Sequence, residues 1–161
     1  DFASQADNEF AVRATGGVRL VSAVDESGQP TAGVALAPGS GSWSTLSDRA
    51  AKRNFEPVDG RRVLEQLAAL PIQTWNYAQQ DKSVRHLGPM AQDFQAAFHL
   101  GENERTISTV DADGVALAAI QGLHTLILEQ ESELEARDAR IERLERELQE
   151  LREMLSGRVN Q

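Results

Sequence analysis

The polar and apolar positions of this chain change period twice along its length. Through residues 1–46 short alternating runs, "EFAVRA", "GVRLVSAV" and "GVALA", are separated by turn-rich stretches, "TGG", "ESGQPTAG" and "APGSGS". Alternation with such punctuation predicts short strands in a thin β structure. From residue 60 the period lengthens. In "DGRRVLEQLAALP", Val63, Leu64, Leu67 and Leu70 fall at helical spacing, and Pro71 stops the run. "IQTWNYA" returns to alternation and predicts a strand. "RHLGPMAQDFQAAFHLG" reads as a short strand leading into a helix, with Pro89 at an early helical position, Met90, Phe94 and Phe98 on one face, and Gly101 as its close. "TISTV" reads as a further strand, after which "DADG" turns the chain into a last helix.

That last helix carries the longest pattern. Steps of three and four from Ile120 meet Leu123, Ile127, Gln130, Leu134, Arg137, Ile141, Leu144, Leu148, Leu151 and Leu155. This is a heptad seam with Ile120, Ile127, Leu134, Ile141, Leu148 and Leu155 at position a, and it predicts a parallel coiled coil over residues 115–155. At about 1.5 Å per residue the helix is roughly 60 Å long, more than a small globule can cover. Arg140 with Glu145, and Glu147 with Arg152, are placed to pair between chains. Gln130 and Arg137 are polar interruptions at d that can set register or oligomer state. Ile at a with Leu at d favours two strands by rule, and the seam alone leaves dimer and trimer open.

Composition adds limits. The chain has 161 residues, 40% hydrophobic and 5% aromatic, and six of its twelve glycines (Gly16, Gly17, Gly28, Gly33, Gly39 and Gly41) lie before residue 47. A strand-rich stretch so poor in large apolar side chains could hardly fold alone, so it reads as the end of a fibre or stalk built by several chains. The net charge of −9 argues against nucleic acid as a partner, since phosphate binding needs a basic face. There is no cysteine, hence no disulfide or thiol chemistry. No stretch approaches the apolar length of a membrane span, and the first residues lack the pattern of a signal peptide. The chain begins at Asp1 rather than Met, which suggests a fragment of a longer protein.

Candidate chemistry lies at the change of period. "LSDRAAKRNF" follows the Gly/Ser-rich "APGSGSWST", which reads as a linker, and brings Ser47, Asp48 and Lys52 within six residues. A serine hydroxyl becomes a nucleophile when a base takes its proton, and a lysine amine serves as that base once burial or nearby positive charge favours its neutral form. Arg49 and Arg53 could supply such charge. On an ideal α-helix a spacing of five sets two side chains about 140° apart, so Ser47 and Lys52 can meet only on a strand or turn, or between chains. Ser before Asp is also a common helix N-cap, under which Lys52 is simply solvated. Elsewhere, "DADG" at 111–114 departs from a calcium loop: its glycine is in the fourth position and Gly122 stands where a closing Glu belongs. His86, His99 and His124 form no metal-ligand cluster, and Trp75 and Tyr77 read as core or interface aromatics.

"SDRAAKRNFEPVDG", "RHLGPMAQDF" and "TISTVDADGVALAAIQGL", in that order before a coiled coil, closely resemble the C-terminal intramolecular chaperone domain of endosialidases and other phage tail spikes and fibres. The same domain type is found in bacterial fibre-like proteins and in the myelin regulatory factor of animals. The resemblance covers about residues 47–130. It implies a domain that forms a homotrimer, assists folding of the trimeric fibre upstream in the same chain, and then releases itself by cutting before the motif serine. Carried over by position, Ser47 is the nucleophile, Lys52 the general base, and Leu46–Ser47 the bond cut. Asp48, Arg49 and His86 fall within family motifs as supporting residues. The usual motif reads Ser-Asp-Arg-Arg-Leu-Lys, and this chain has Ala50 and Ala51 where Arg and Leu are expected. The expected architecture is α+β: a fibre segment with its linker over 1–46, a small chaperone domain over 47–114, and a coiled-coil helix with a frayed tail over 115–161. No metal or cofactor is implied. The implied setting is a virion tail fibre or spike, or a prophage-derived bacterial protein, folded in the host cytoplasm. A non-cleaving assembly cap with the same fold is the alternative, and a hydrolase acting on other substrates is a third reading.

Overall fold

A computed structural model describes residues 2–159 and divides the chain into two units, Asp1–Pro57 and Val58–Gln161. In the first unit, strand β1 (Val18–Val24) pairs antiparallel with β2 (Pro30–Leu36), in register from Val18 opposite Leu36 to Val21 opposite Gly33. The turn between them is tied by one side chain. Asp25 Oδ1 accepts from the Ser27 hydroxyl at 2.7 Å, the Ser27 N–H at 2.9 Å and the Gln29 N–H at 2.9 Å. Such carboxylate-to-backbone bonding is why Asp favours turns. A two-residue strand β3 (Ser44–Thr45) adds to the far side of β2, within the stretch that reads as a linker. "EFAVRA" is not a strand: Phe10 is 91% exposed and has no sheet to pack on. None of the described residues of this unit is buried.

Gly33 sits at φ +151, and a Cβ there would meet the Leu20 carbonyl oxygen at 2.3 Å. Only glycine lets β1 approach so closely. After β3 a single 3₁₀ turn, Arg49–Ala51, ends the structured part of the unit.

The second unit follows the helical periodicity. Helix α1 (Gly60–Ala69) is capped by Asp59, whose side chain accepts from the N–H groups of Arg61 and Arg62. A hairpin of β4 (Gln73–Trp75) and β5 (His86–Gly88) precedes helix α2 (Ala91–Phe98). Met90 occupies the N-cap of α2, and its C-terminal left-handed residue is His99 at φ 54 rather than Gly101. Helix α3 runs from Thr109 to Val159. "TISTV" is therefore not a strand. Its β-branched residues suggested one, but Ser108 caps α3 by accepting from the Val110 N–H at 3.2 Å, and "DADG" lies in the first turns of the helix. Asn160 and Gln161, the end of the expected frayed tail, lie outside the described residues.

The core of this unit is small. Leu70, Phe94 and Val115 are buried together, with Val63, Leu67, Ala97, Phe98 and Ile107 packed around them. Helix α1 lies along the Val115, Ala119, Gly122 and Leu126 side of α3. At the crossing Gly60 faces Gly122, where an added Cβ on Gly122 would stand 2.1 Å from the Gly60 carbonyl oxygen. The seam residues Ile120, Leu123, Ile127, Leu134, Ile141, Leu144, Leu148, Leu151 and Leu155 remain exposed. Among the described residues no helix is long and apolar enough to cross a membrane.

Candidate functional site

The stretch from Leu46 to Phe55 is built by local hydrogen bonds that the sequence specifies. Leu46 extends β3, and its N–H donates to the Gly33 carbonyl at 3.0 Å. Its side chain helps line an apolar groove of about 310 Å³ with Leu20, Val21 and Val34. Asp48 then caps the 3₁₀ turn, its carboxylate accepting from the Ala50 N–H at 2.8 Å. The Ala51 N–H donates to the Asp48 carbonyl at 3.2 Å and the Lys52 N–H to the Arg49 carbonyl at 3.1 Å.

Asp48 and Lys52 flank this turn in extended conformations, at φ −66, ψ 136 and φ −120, ψ 158. The chain thus reverses tightly between Ser47 and Lys52, and Lys52 Nζ donates to Ser47 Oγ at 2.6 Å. The contact is made within one chain. The N-cap falls on Asp48, one residue after the position that the helix-cap reading assigned to serine, and this leaves the Ser47 hydroxyl free to face the amine. Asn54 at φ 53 turns the chain again, and the Arg49 guanidinium lies over the Phe55 ring, 5.0 Å from its centroid. Both Ser47 and Lys52 are solvent-exposed in the single chain.

Two roles were missed in the sequence. Gly33 anchors the residue before Ser47 through its carbonyl, a long-range pairing with no local signal. Phe55 holds Arg49, and nothing local in the sequence marks an aromatic six residues after an arginine as its partner.

His86 belongs to the second unit. It pairs with Trp75 across the β4–β5 hairpin, their rings 4.7 Å apart, and its Nε2 lies 2.9 Å from Gln80 Oε1. Tyr77 completes the aromatic cluster, 4.9 Å from Trp75 and 5.5 Å from His86. Arg85 donates to both the carbonyl and the hydroxyl of Thr74 at 2.8 Å. These contacts give His86 a complete structural role within the hairpin. Among the described residues no group of three or more His, Asp or Glu side chains is placed to hold a metal.

No curated protein and no solved structure matches the chain. A family model does: residues 47–100, beginning at Ser47 and ending just past α2, match the family described as chaperone of endosialidase.

Proposed function

We propose that the chain is the end of a trimeric tail fibre or spike followed by its intramolecular chaperone, and that the chaperone releases itself by cutting Leu46–Ser47. The observation that carries the cutting is the 2.6 Å contact between Lys52 Nζ and Ser47 Oγ at the first residue of the family match. The bond to be cut lies between two anchored pieces of backbone, the Leu46 N–H bound to Gly33 and the capped turn that begins at Asp48.

In this reading neutral Lys52 takes the proton of Ser47 Oγ while the oxygen attacks the Leu46 carbonyl carbon. The C–N bond breaks, the proton passes to the departing Ser47 nitrogen, and an ester joins Leu46 to Ser47 Oγ. Water then splits the ester, leaving a carboxylate on Leu46 and the restored hydroxyl on Ser47. A lysine acts as a base only when its neutral form is favoured, and burial does this. Lys52 is exposed in a single chain, so association of copies through the α3 seam supplies the burial and ties cutting to assembly. The family match supports a phage or prophage setting.

A non-cleaving assembly cap is favoured by that same exposure of Lys52 and by Ala50 and Ala51 in the motif. Wild type and Ser47→Ala, run on a denaturing gel and weighed by mass spectrometry, separate the two. Self-cutting yields a fragment starting at Ser47 from the wild type only. An intact 161-residue chain from both would leave the cap.

A further inference from the structure

We propose that Asp48 is a positioning residue for the Ser47–Lys52 pair, acting as a hydrogen-bond acceptor that winds the turn rather than through its charge. The inference deepens the reading of Ser47 and Lys52 as reacting partners. Residues five apart do not meet on an α-helix, because they point about 140° apart. They meet here because the helical backbone is confined to Arg49–Ala51, with extended residues on either side. Three hydrogen bonds close that turn. Two are backbone bonds, from Ala51 to Asp48 and from Lys52 to Arg49. The third, from the Ala50 N–H to Asp48 Oδ1 at 2.8 Å, is the only one made by a side chain.

The backbone bonds are at the long end of the usual range, at 3.2 and 3.1 Å, two of the three turn residues are Ala, and the third, Arg49, rests on the exposed Phe55 ring. None of its residues is buried. A 3₁₀ segment this short is marginal without an added restraint. The Asp48 carboxylate supplies that restraint at the point where the chain enters the turn, and it satisfies an N–H that has no backbone partner there. Because Asn caps as well as Asp, the role can be separated from charge.

The test uses the whole chain in two backgrounds. In the cutting-competent chain, Asp48→Ala is expected to slow release of the Ser47 fragment about fivefold, the factor that corresponds to about 1 kcal/mol of lost capping. Asp48→Asn is expected to restore the rate to within about twofold, with an unchanged pH profile. In the uncut Ser47→Ala background, an NMR cross-peak between the residue 47 methyl and the Lys52 ε-methylene reports the turn whether or not the chain cuts. It is expected in Asp48→Asn and absent in Asp48→Ala. A cross-peak that survives in Asp48→Ala, or an Asn variant as slow as the Ala variant, overturns the proposal. A wild type that never cuts defeats the functional reading, and the cross-peak alone then decides the positioning role.

Discussion

At the residue scale, single carboxylates decide where this chain turns. Asp25, Asp48 and Asp59 each accept backbone N–H groups at the start of a turn or helix. For Asp25 the consequence is a titration. Its carboxyl is held below 3.8, first by the Ser27 hydroxyl, then by the Gln29 N–H and the backbone of Ser27 and Gly28. A carboxyl depressed in the folded state adds stability that is present above its unfolded value and lost as pH falls through the folded value. The β1–β2 turn is therefore expected to hold at pH 5 and to loosen only below about 3.8. An NMR titration of the Asp25 carboxyl carbon checks this, and a midpoint at or above 3.8 contradicts it. Ser47 and Lys52 were legible as a pair because motif order and the change of period both marked the spot. Their actual contact was not. Whether a short Asp-Arg-Ala-Ala run winds as α, 3₁₀ or nothing depends on bonds of similar small energy, and the cap moved one residue from Ser to Asp.

Helices were the easier elements. Asp59 and Pro71 bracket α1 in the sequence as they do in the structure, and the heptad steps trace α3. Strands misled where propensity met no partner. "EFAVRA" alternates yet finds nothing to pair with, and β-branched "TISTV" gives way to the cap at Ser108. β3 was hidden in a Gly/Ser-rich stretch because a two-residue strand carries no periodicity. The close approach of Gly60 to Gly122 was also hidden, since no pattern links the two. Two glycines of α3 make the point testable. Gly122→Ala drives a methyl to 2.1 Å from the Gly60 carbonyl oxygen, a backbone atom that cannot swing away. Overpacking of this kind costs about 1–3 kcal/mol, which outweighs the gain of up to about 1 kcal/mol from replacing glycine in a helix. Gly114→Ala has nothing within 4 Å and should keep that gain. Thermal unfolding is expected to fall for Gly122→Ala and to rise slightly for Gly114→Ala. Equal shifts would mean that α1 does not press on α3 at Gly122.

At the scale of the whole molecule the chain exposes more surface than a compact monomer of its mass. A folded monomer of 17.6 kDa exposes about 7,900 Å², and this chain exposes 13925 Å². The α3 seam is part of that exposed surface. Helix α1 covers one side of the first turns of α3, through Val115, Ala119 and Gly122, while the seam from Ile120 to Leu155 stays open. One side of the helix thus closes the core in cis, and in the proposed assembly the other side receives further copies. The polar d positions fit the same scheme. Arg137 lies 3.8 Å from Glu133 one turn earlier, so its charge enters the seam with a counter-charge on the same helix. Ile141 separates the two purposes cleanly, because it is 52% exposed and lies far along α3 from the buried core. In the proposed trimer, Ile141→Asp, made in the uncut Ser47→Ala chain, is expected to reduce the mass seen by light scattering from three times 17.6 kDa to that of a single chain. Helical circular dichroism should fall with it, since a long helix without packing is only marginally stable in water. Glu135→Gln, at the outward-facing b position of the preceding heptad, should change neither. If Ile141→Asp keeps the full mass, the copies meet elsewhere, and cutting at Leu46–Ser47 can no longer draw its burial from the α3 seam.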